Sequence, residues 1–389
     1  MEPRHPLLHC ECSTDAPQVG IVSNRQSASD YDDDMKRAKF AGIDAFALNI
    51  GTDSYTDKQL GLAYKSAAKN GIKVFLSFDF NWWQTSQGGA LKVDGKVFVS
   101  SFAGDGVNIE AAYEKALMGK PYIAPILPWF STHFGGEVSY TKNWVFPSGL
   151  LWYNRWREIL DTSPRFVELI TWNDYGESHY IGPLSSPHTD DGASKWVIGM
   201  PYNGWLDMAK PFIAAYKAGS KLPISFLDEE KLVYWYRPTP KHVDCDATDT
   251  TMQSSFHSGS GNLVCGRPDG ADHMTDEVFI VTMLKMPATI HVQSGCKAET
   301  YEAKAGVWSH SVPMGVGTQS FKVVRDGETI DSLCGTSLRE ITETCPCGIY
   351  NFNAYVGTLP ADASVDRLQP AGLSRLSQGL KTSCSTGTL

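Results

Sequence analysis

The period of the hydrophobic pattern changes once along this chain, near Pro223, and that change limits the fold more than any other feature of the sequence. From about residue 19 to 220, apolar runs of strand length alternate with stretches in which apolar residues recur at helical spacing. VGIVS leads into residues 28–41, where Tyr31, Met35 and Ala38 follow the capping candidates Ser27 and Ser29, and DYDDDM gives that helix an acidic opening. DAFALNIG precedes a helix over residues 57–70 closed by Gly71. IKVFLSFDF, VFVSSF, the helical IEAAYEKALMG, YIAPILPW, a Trp-rich helix around residues 150–160 and FVELITWND follow in turn. Alternation of this kind predicts the α/β class, with parallel strands and crossover helices closing toward a (β/α)8-type barrel.

Beyond Pro223 the runs shorten and alternate, as in KLVYWYRP, EVFIVTMLK, ATIHVQSG, SFKVVRDGE and YNFNAYVG, separated by Gly, Pro, Asp and Ser. That pattern predicts an antiparallel β-sandwich, with a hairpin marked by Asp326-Gly327. The expected organisation is an atypical N-terminal segment over residues 1–18, a barrel over 19–225, a β-sandwich over 226–357 and a tail over 358–389, where periodicity is lost.

The chemistry concentrates in TWNDYGESHYIGP, residues 171–183. The apolar residues Phe166, Val167, Leu169 and Ile170 predict a buried strand, and the polar segment after it predicts a loop at the strand's C-terminal end, where α/β barrels carry their active sites. Asp174 and Glu177 lie three residues apart there, with Gly176 expected to let the chain turn sharply. Glycoside hydrolysis needs one carboxyl group to protonate the leaving oxygen and another to activate water or attack carbon, while aromatic faces pack against sugar rings. Trp172, Tyr175 and Tyr180 would supply such faces. Asp79 repeats the motif at the end of IKVFLSFD, beside Trp82 and Trp83. Trp129, His133, Asn173, His179 and His188 are further substrate-binding candidates on strand-end loops.

Other classes recede. No G-x-S-x-G elbow, Walker motif or dinucleotide fingerprint occurs. HTDDG, residues 188–192, does not complete a metal coordination shell, and Cys345-Pro-Cys347 lacks zinc-ligand spacing, so neither a metal nor any other cofactor is expected. A net charge of -9 offers no footprint for nucleic acid or anionic membrane. No apolar run reaches the roughly 20 residues of a membrane span, and the opening MEPRHPLLHCECSTDAPQ lacks the apolar core of a signal peptide. Seven of the 9 cysteines nevertheless fall at or beyond Cys245, which predicts disulfides and an oxidising compartment. A monomer acting on a neutral polymer fits these properties.

Several long stretches together carry a resemblance. GIVSNRQSASDYDDDMKRAKFAGIDAFALNIG, FLSFDFNWW, KPYIAPILPWFSTHFG, SYTKNWVFPSGLLWYNRWREIL, FVELITWNDYGESHYIGP and SPHTDDGASKW resemble the fungal α-1,3-glucanases, or mutanases, of glycoside hydrolase family 71, over most of residues 19–357. The resemblance implies a secreted hydrolase that cuts α-1,3-linked wall glucan with inversion, built as a (β/α) barrel followed by a β-sandwich. It places the essential carboxylates at Asp174 and Glu177, with Asp79 in support. Glu177 is assigned as general acid and Asp174 as base, and the reverse assignment stays open on the residues alone.

The chain departs from the family in several places. CECSTDAPQ stands where a first strand with a His and aromatic residues is expected. The connection between Trp83 and Val97 is short, and residues 105–120 skip at least one βα unit. About six strands then count toward a barrel whose closure needs eight, so an incomplete barrel is expected. The class that competes with an active glucanase is a glucan-binding protein that has lost turnover with its cleft-lining segments. A glycosidase for another linkage is a third reading, since two carboxylates and aromatics do not encode linkage.

Overall fold

A computed structural model describes residues 10–11, 25–50, 54–78, 92–93, 96–97, 123–133, 143–146, 148–182, 194–197, 199–245, 249, 267–345, 349–361 and 383–384. The chain divides into two compact units, one of residues 25–124 and 164–167, the other of residues 1–24, 125–163 and 168–389.

The smaller unit opens on a capped helix. Asp30 accepts the backbone N–H groups of Gln26 and Ser27 and the Ser27 hydroxyl, which satisfies donors that the first turn leaves without partners. The helix Asp32–Phe40 carries Asp32, Asp33 and Asp34 in its first turn and Arg37 and Lys39 in its last, the polarity its dipole favours. Its buried Met35 and Ala38 face the core, where Asp34 pairs with the equally buried Arg25 at 3.0 Å. Strand Ala45–Ile50 then runs parallel to Lys73–Phe78, and the helix Thr56–Asn70 makes the crossover. Gly71 ends that helix at φ 65°, a left-handed conformation that glycine enters without a Cβ penalty. VGIVS, most of VFVSSF and IEAAYEKALMG lie outside the described residues.

The larger unit runs on across residue 225. In the helix Leu151–Thr162, Trp152, Trp156, Ile159 and Leu160 fall on one stripe and are buried. Trp156 stacks on Phe212 at 5.7 Å, and the Trp152 N–H donates to the Trp205 carbonyl at 3.1 Å. Trp205 and Phe212 belong to a second helix, Asn203–Lys217, which the sequence pattern did not single out and which keeps Pro211 in its interior. Gly204 allows that helix to close on the strand Tyr355–Leu359, for a Cβ there would sit 2.9 Å from methyl groups of Val356 and Thr358.

That strand is the edge of a four-stranded antiparallel sheet in the order Gly306–Pro313, Glu277–Leu284, Lys231–Tyr236, Tyr355–Leu359. A second antiparallel sheet runs Lys297–Ala303, Ala288–Ser294, Gln319–Arg325, Glu328–Thr329, with Gly335–Thr336 also paired to Gln319–Arg325. Tyr234, Tyr236, Val278 and Ile280 of the first share one buried cluster with Ile290, Val292, Phe321 and Val323 of the second, and Tyr234 stacks on Phe321 at 4.2 Å. Trp235 turns to the opposite face, where its N–H donates to the Gly149 carbonyl and its ring meets Trp205. Leu232 through Tyr236 are therefore buried on both faces, beneath helices on one side and the second sheet on the other.

Cys245 and Cys345, both in the cysteine-rich C-terminal part, form a disulfide across 100 residues. The strand Phe166–Leu169 forms where expected, and its partner is Ile123–Ile126. It is not the buried strand its apolar run suggests: Phe166 is 42% exposed, and the next three residues are half-buried. Among the described residues no helix is long and apolar enough to cross a membrane.

Candidate active site

The segment 171–180 folds back on itself. Asn173–Asp174 pairs antiparallel with His179–Tyr180, and Tyr175–Glu177 forms one turn of 3-10 helix between them. Thr171 fastens the base: its hydroxyl accepts the Asp174 N–H at 2.9 Å and donates to the His179 carbonyl. Asp174 caps the turn by accepting the Glu177 N–H at 3.2 Å. The two carboxylates thus belong to one hydrogen-bonded turn, with Asp174 half-buried and Glu177 only 7% exposed. Gly176 does not make the sharp bend expected of it. Ser178 takes the left-handed conformation instead, at φ 49°, because Gly176 lies inside the 3-10 turn.

The rings flanking the acids divide into two groups. Tyr175 and Tyr180 are buried 5.1 Å apart, and Tyr180 stacks on Tyr202 at 3.9 Å, so both support the turn from below. Trp172 is half-buried, as is Asn173, and Gly182 gives the indole room, since a Cβ there would fall 2.7 Å from its nitrogen. His179 is the cross-strand partner of Asp174. Its ring meets Phe130 edge to face at 5.3 Å, and its Nε2 is buried without a hydrogen-bond partner. Burial holds the imidazole neutral, with a pKa pulled down to about 4, and the Glu177 charge opposes that fall.

Trp129 and His133 are built into the interior. The Trp129 N–H donates to the Phe352 carbonyl at 3.0 Å, and its ring stacks near Trp205. The His133 ring nitrogens sit 2.7 Å from Asn143 Oδ1 and 3.1 Å from Asp249 Oδ2. Both side chains are almost fully enclosed, a position that suits the framework rather than a sugar contact. Asp79, Trp82, Trp83 and His188 lie outside the described residues. Among the described residues, no cluster of His, Cys, Asp and Glu is spaced to hold a metal ion.

Four further residues hold the turn, and the sequence reading missed them. The Trp196 N–H donates to the Tyr175 carbonyl at 3.1 Å, and the Tyr202 hydroxyl lies 3.5 Å from the Ser178 carbonyl. The amides of Asn351 and Asn353 donate to the Trp196 carbonyl at 3.2 and 3.0 Å. No local pattern marks Asn351 or Asn353 within YNFNAY, because their partners are distant in sequence.

Comparison with known proteins places these features in context. Residues 18–112 and 107–369 match the profile of glycosyl hydrolase family 71. A mutanase of Penicillium rubens is 39% identical over 413 aligned positions, covering 87% of this chain and 87% of the relative. A glucan endo-1,3-alpha-glucosidase of Schizosaccharomyces pombe is 32% identical over 422 positions, covering 87% of this chain and 93% of its own. An ascus wall endo-1,3-alpha-glucanase of the same yeast is 24% identical over 388 positions, covering 76% and 84%. The first two alignments are longer than the 389 residues of this chain, so both relatives carry internal segments that it lacks. The two profile matches overlap at residues 107–112, inside the stretch where a βα unit is expected to be missing.

Proposed function

The chain belongs to glycosyl hydrolase family 71, and from that membership together with the two acids on one turn we infer that it is an endo-acting hydrolase of α-1,3-glucan. The observation that carries the chemistry is the hydrogen bond from the Glu177 N–H to the Asp174 carboxylate, which keeps the two acidic residues on one strand-end turn.

In the proposed inverting mechanism, Glu177 gives its proton to the glucosidic oxygen as the C1–O bond breaks. Asp174 takes a proton from the water that forms the new C1–O bond on the opposite face, and the product leaves as the β-anomer. Asp79 is assigned a supporting role. Trp172, half-buried on the same segment, is the ring best placed to pack on a glucosyl unit.

The parallel pair with its crossover helix in the smaller unit supports the (β/α) barrel reading, and the two antiparallel sheets support the sandwich that follows it. A wall polysaccharide places the work outside the cell, in keeping with the Cys245–Cys345 disulfide, and we assign the chain as a monomer. Incubation of the purified protein with insoluble α-1,3-glucan tests the reading. Release of reducing oligosaccharides, with the β-anomer first in freshly recorded proton spectra, is expected. Pull-down on the polymer without release would overturn hydrolysis, and an α-anomer appearing first would overturn inversion alone.

A further inference from the structure

The turn that carries Glu177 is held from outside at both ends. The Trp196 N–H donates to the Tyr175 carbonyl at 3.1 Å, and the Met200 backbone carbonyl accepts the Tyr180 hydroxyl at 2.6 Å. Glu177 lies between those two points along the chain. All of these contacts converge on one buried side chain. The Asn353 amide nitrogen donates to the Trp196 carbonyl at 3.0 Å and to the Tyr180 hydroxyl at 3.3 Å, while its oxygen accepts the Tyr202 hydroxyl and the Ala354 N–H. Asn353 is completely buried, and the amide of Asn351 adds a second donor to the same Trp196 carbonyl. A carboxamide has two donors and one strong acceptor, and here every one is used.

We propose that Asn353 is a positioning residue for the glycosidic reaction, which sets the orientation of Glu177 through Trp196 and the Tyr180–Tyr202 pair. This rests on Glu177 being the proton donor. The physical ground is that proton transfer depends steeply on placement. A displacement of about 1 Å at the reacting group costs on the order of a hundredfold in rate, and 3-10 turns are too short to hold such precision by themselves. A buried, fully satisfied polar network supplies that rigidity, and its members lose more than pairwise contacts when one is removed.

Two variants test the assignment. Asn353→Ala removes the hub, and Trp196→Phe removes the N–H that holds the Tyr175 carbonyl while leaving a smaller aromatic ring in its place. Tyr236→Phe, which deletes an equally buried hydroxyl bonded to Ser337 and Arg339 rather than to the turn, is the control. With soluble α-1,3-linked glucose oligosaccharides, kcat of Trp196→Phe should fall about tenfold and that of Asn353→Ala about a hundredfold. KM should stay within roughly twofold in both. Tyr236→Phe should keep the wild-type kcat. Hydrogen exchange over residues 171–182 should rise in Trp196→Phe and not in Tyr236→Phe, a readout independent of turnover. Should the wild type prove inactive, the assignment of function falls while exchange still decides whether the turn is held from Asn353. A folded Trp196→Phe with wild-type kcat and unchanged exchange at 171–182 overturns the proposal.

Discussion

Two tight turns of the larger unit both place a non-glycine residue at positive φ, Asp326 at 51° and Ser178 at 49°. At the first, Asp326 and Gly327 join paired strands, with Val324 opposite Thr329 and Arg325 opposite Glu328. Asp-Gly is suited to this geometry, because aspartate tolerates the left-handed region and glycine, here at φ 82° with open space around it, enters it freely. Ser178 has no such local advantage. Its conformation is imposed from Thr171 within the segment and from Trp196, Tyr202 and Asn353 beyond it. The exposed hairpin is specified by its own two residues, whereas the turn bearing the acids is specified by residues far along the chain. Precision at the site thus comes from burial and convergence rather than from turn propensity.

The largest expected effect is chemical. Glu177→Gln and Asp174→Asn should each lower turnover by about a thousandfold or more, since isosteric amides keep shape but transfer no proton. Reducing-sugar release measures the loss, and an unchanged thermal midpoint shows that the turn itself survives. Retained activity in either variant removes that residue from its role.

Loss of the Cys245–Cys345 link comes next. The disulfide spans 100 residues, and the chain-entropy estimate for such a loop is about 5 kcal/mol. Denaturant unfolding of Cys245→Ala/Cys345→Ala should show a decrease of that order. Because Cys345 lies just before Asn351 and Asn353, hydrogen exchange should rise at 171–182 and stay unchanged at Asp326-Gly327. Equal loosening of both turns contradicts the contrast between them.

Acid sharpens the contrast further. The folded-state pKa of His179 is about 4 against 6.5 for a free imidazole, and burial is the main cause. Between those values the unfolded chain binds a proton that the folded chain refuses. Stability is therefore intact above about pH 6.5 and is lost as pH falls toward 4, by about 3 kcal/mol in all. His179→Gln should flatten that slope when unfolding is measured from pH 7 to 4. The smallest effect belongs to the hairpin: Gly327→Ala should cost about 1 kcal/mol through its positive φ and leave kcat unchanged.

How much could be read ahead of the structure follows the same division. The helix closed by Gly71, the hairpin at Asp326-Gly327 and the strands from Lys231 onward were legible because their signals are local in sequence. That Asp174 and Glu177 share one turn was legible for that reason too. The helix Asn203–Lys217 was obscured, since Pro211 in its interior is an ordinary helix breaker. Alternation in KLVYWY hid a strand buried on both faces, which depends on helices distant in sequence. Tyr175 and Tyr180 were read as part of a sugar-facing wall, yet an aromatic beside an acid looks the same whether it faces a ligand or braces the chain. Asn353 left no local trace, for its partners Trp196 and Tyr180 stand 157 and 173 residues away.

That separation orders events during synthesis. At about 5–20 residues per second, Asn353 leaves the ribosome roughly ten seconds or more after Tyr180. Until then the acids have been translated but the grip on their turn has not, so a nascent or prematurely stopped chain ending before residue 350 would carry Asp174 and Glu177 without the means to aim them. On that proposal, full hydrolytic competence waits for the segment that leads into the strand Tyr355–Leu359, and excising the N-terminal half as a minimal enzyme would forfeit it.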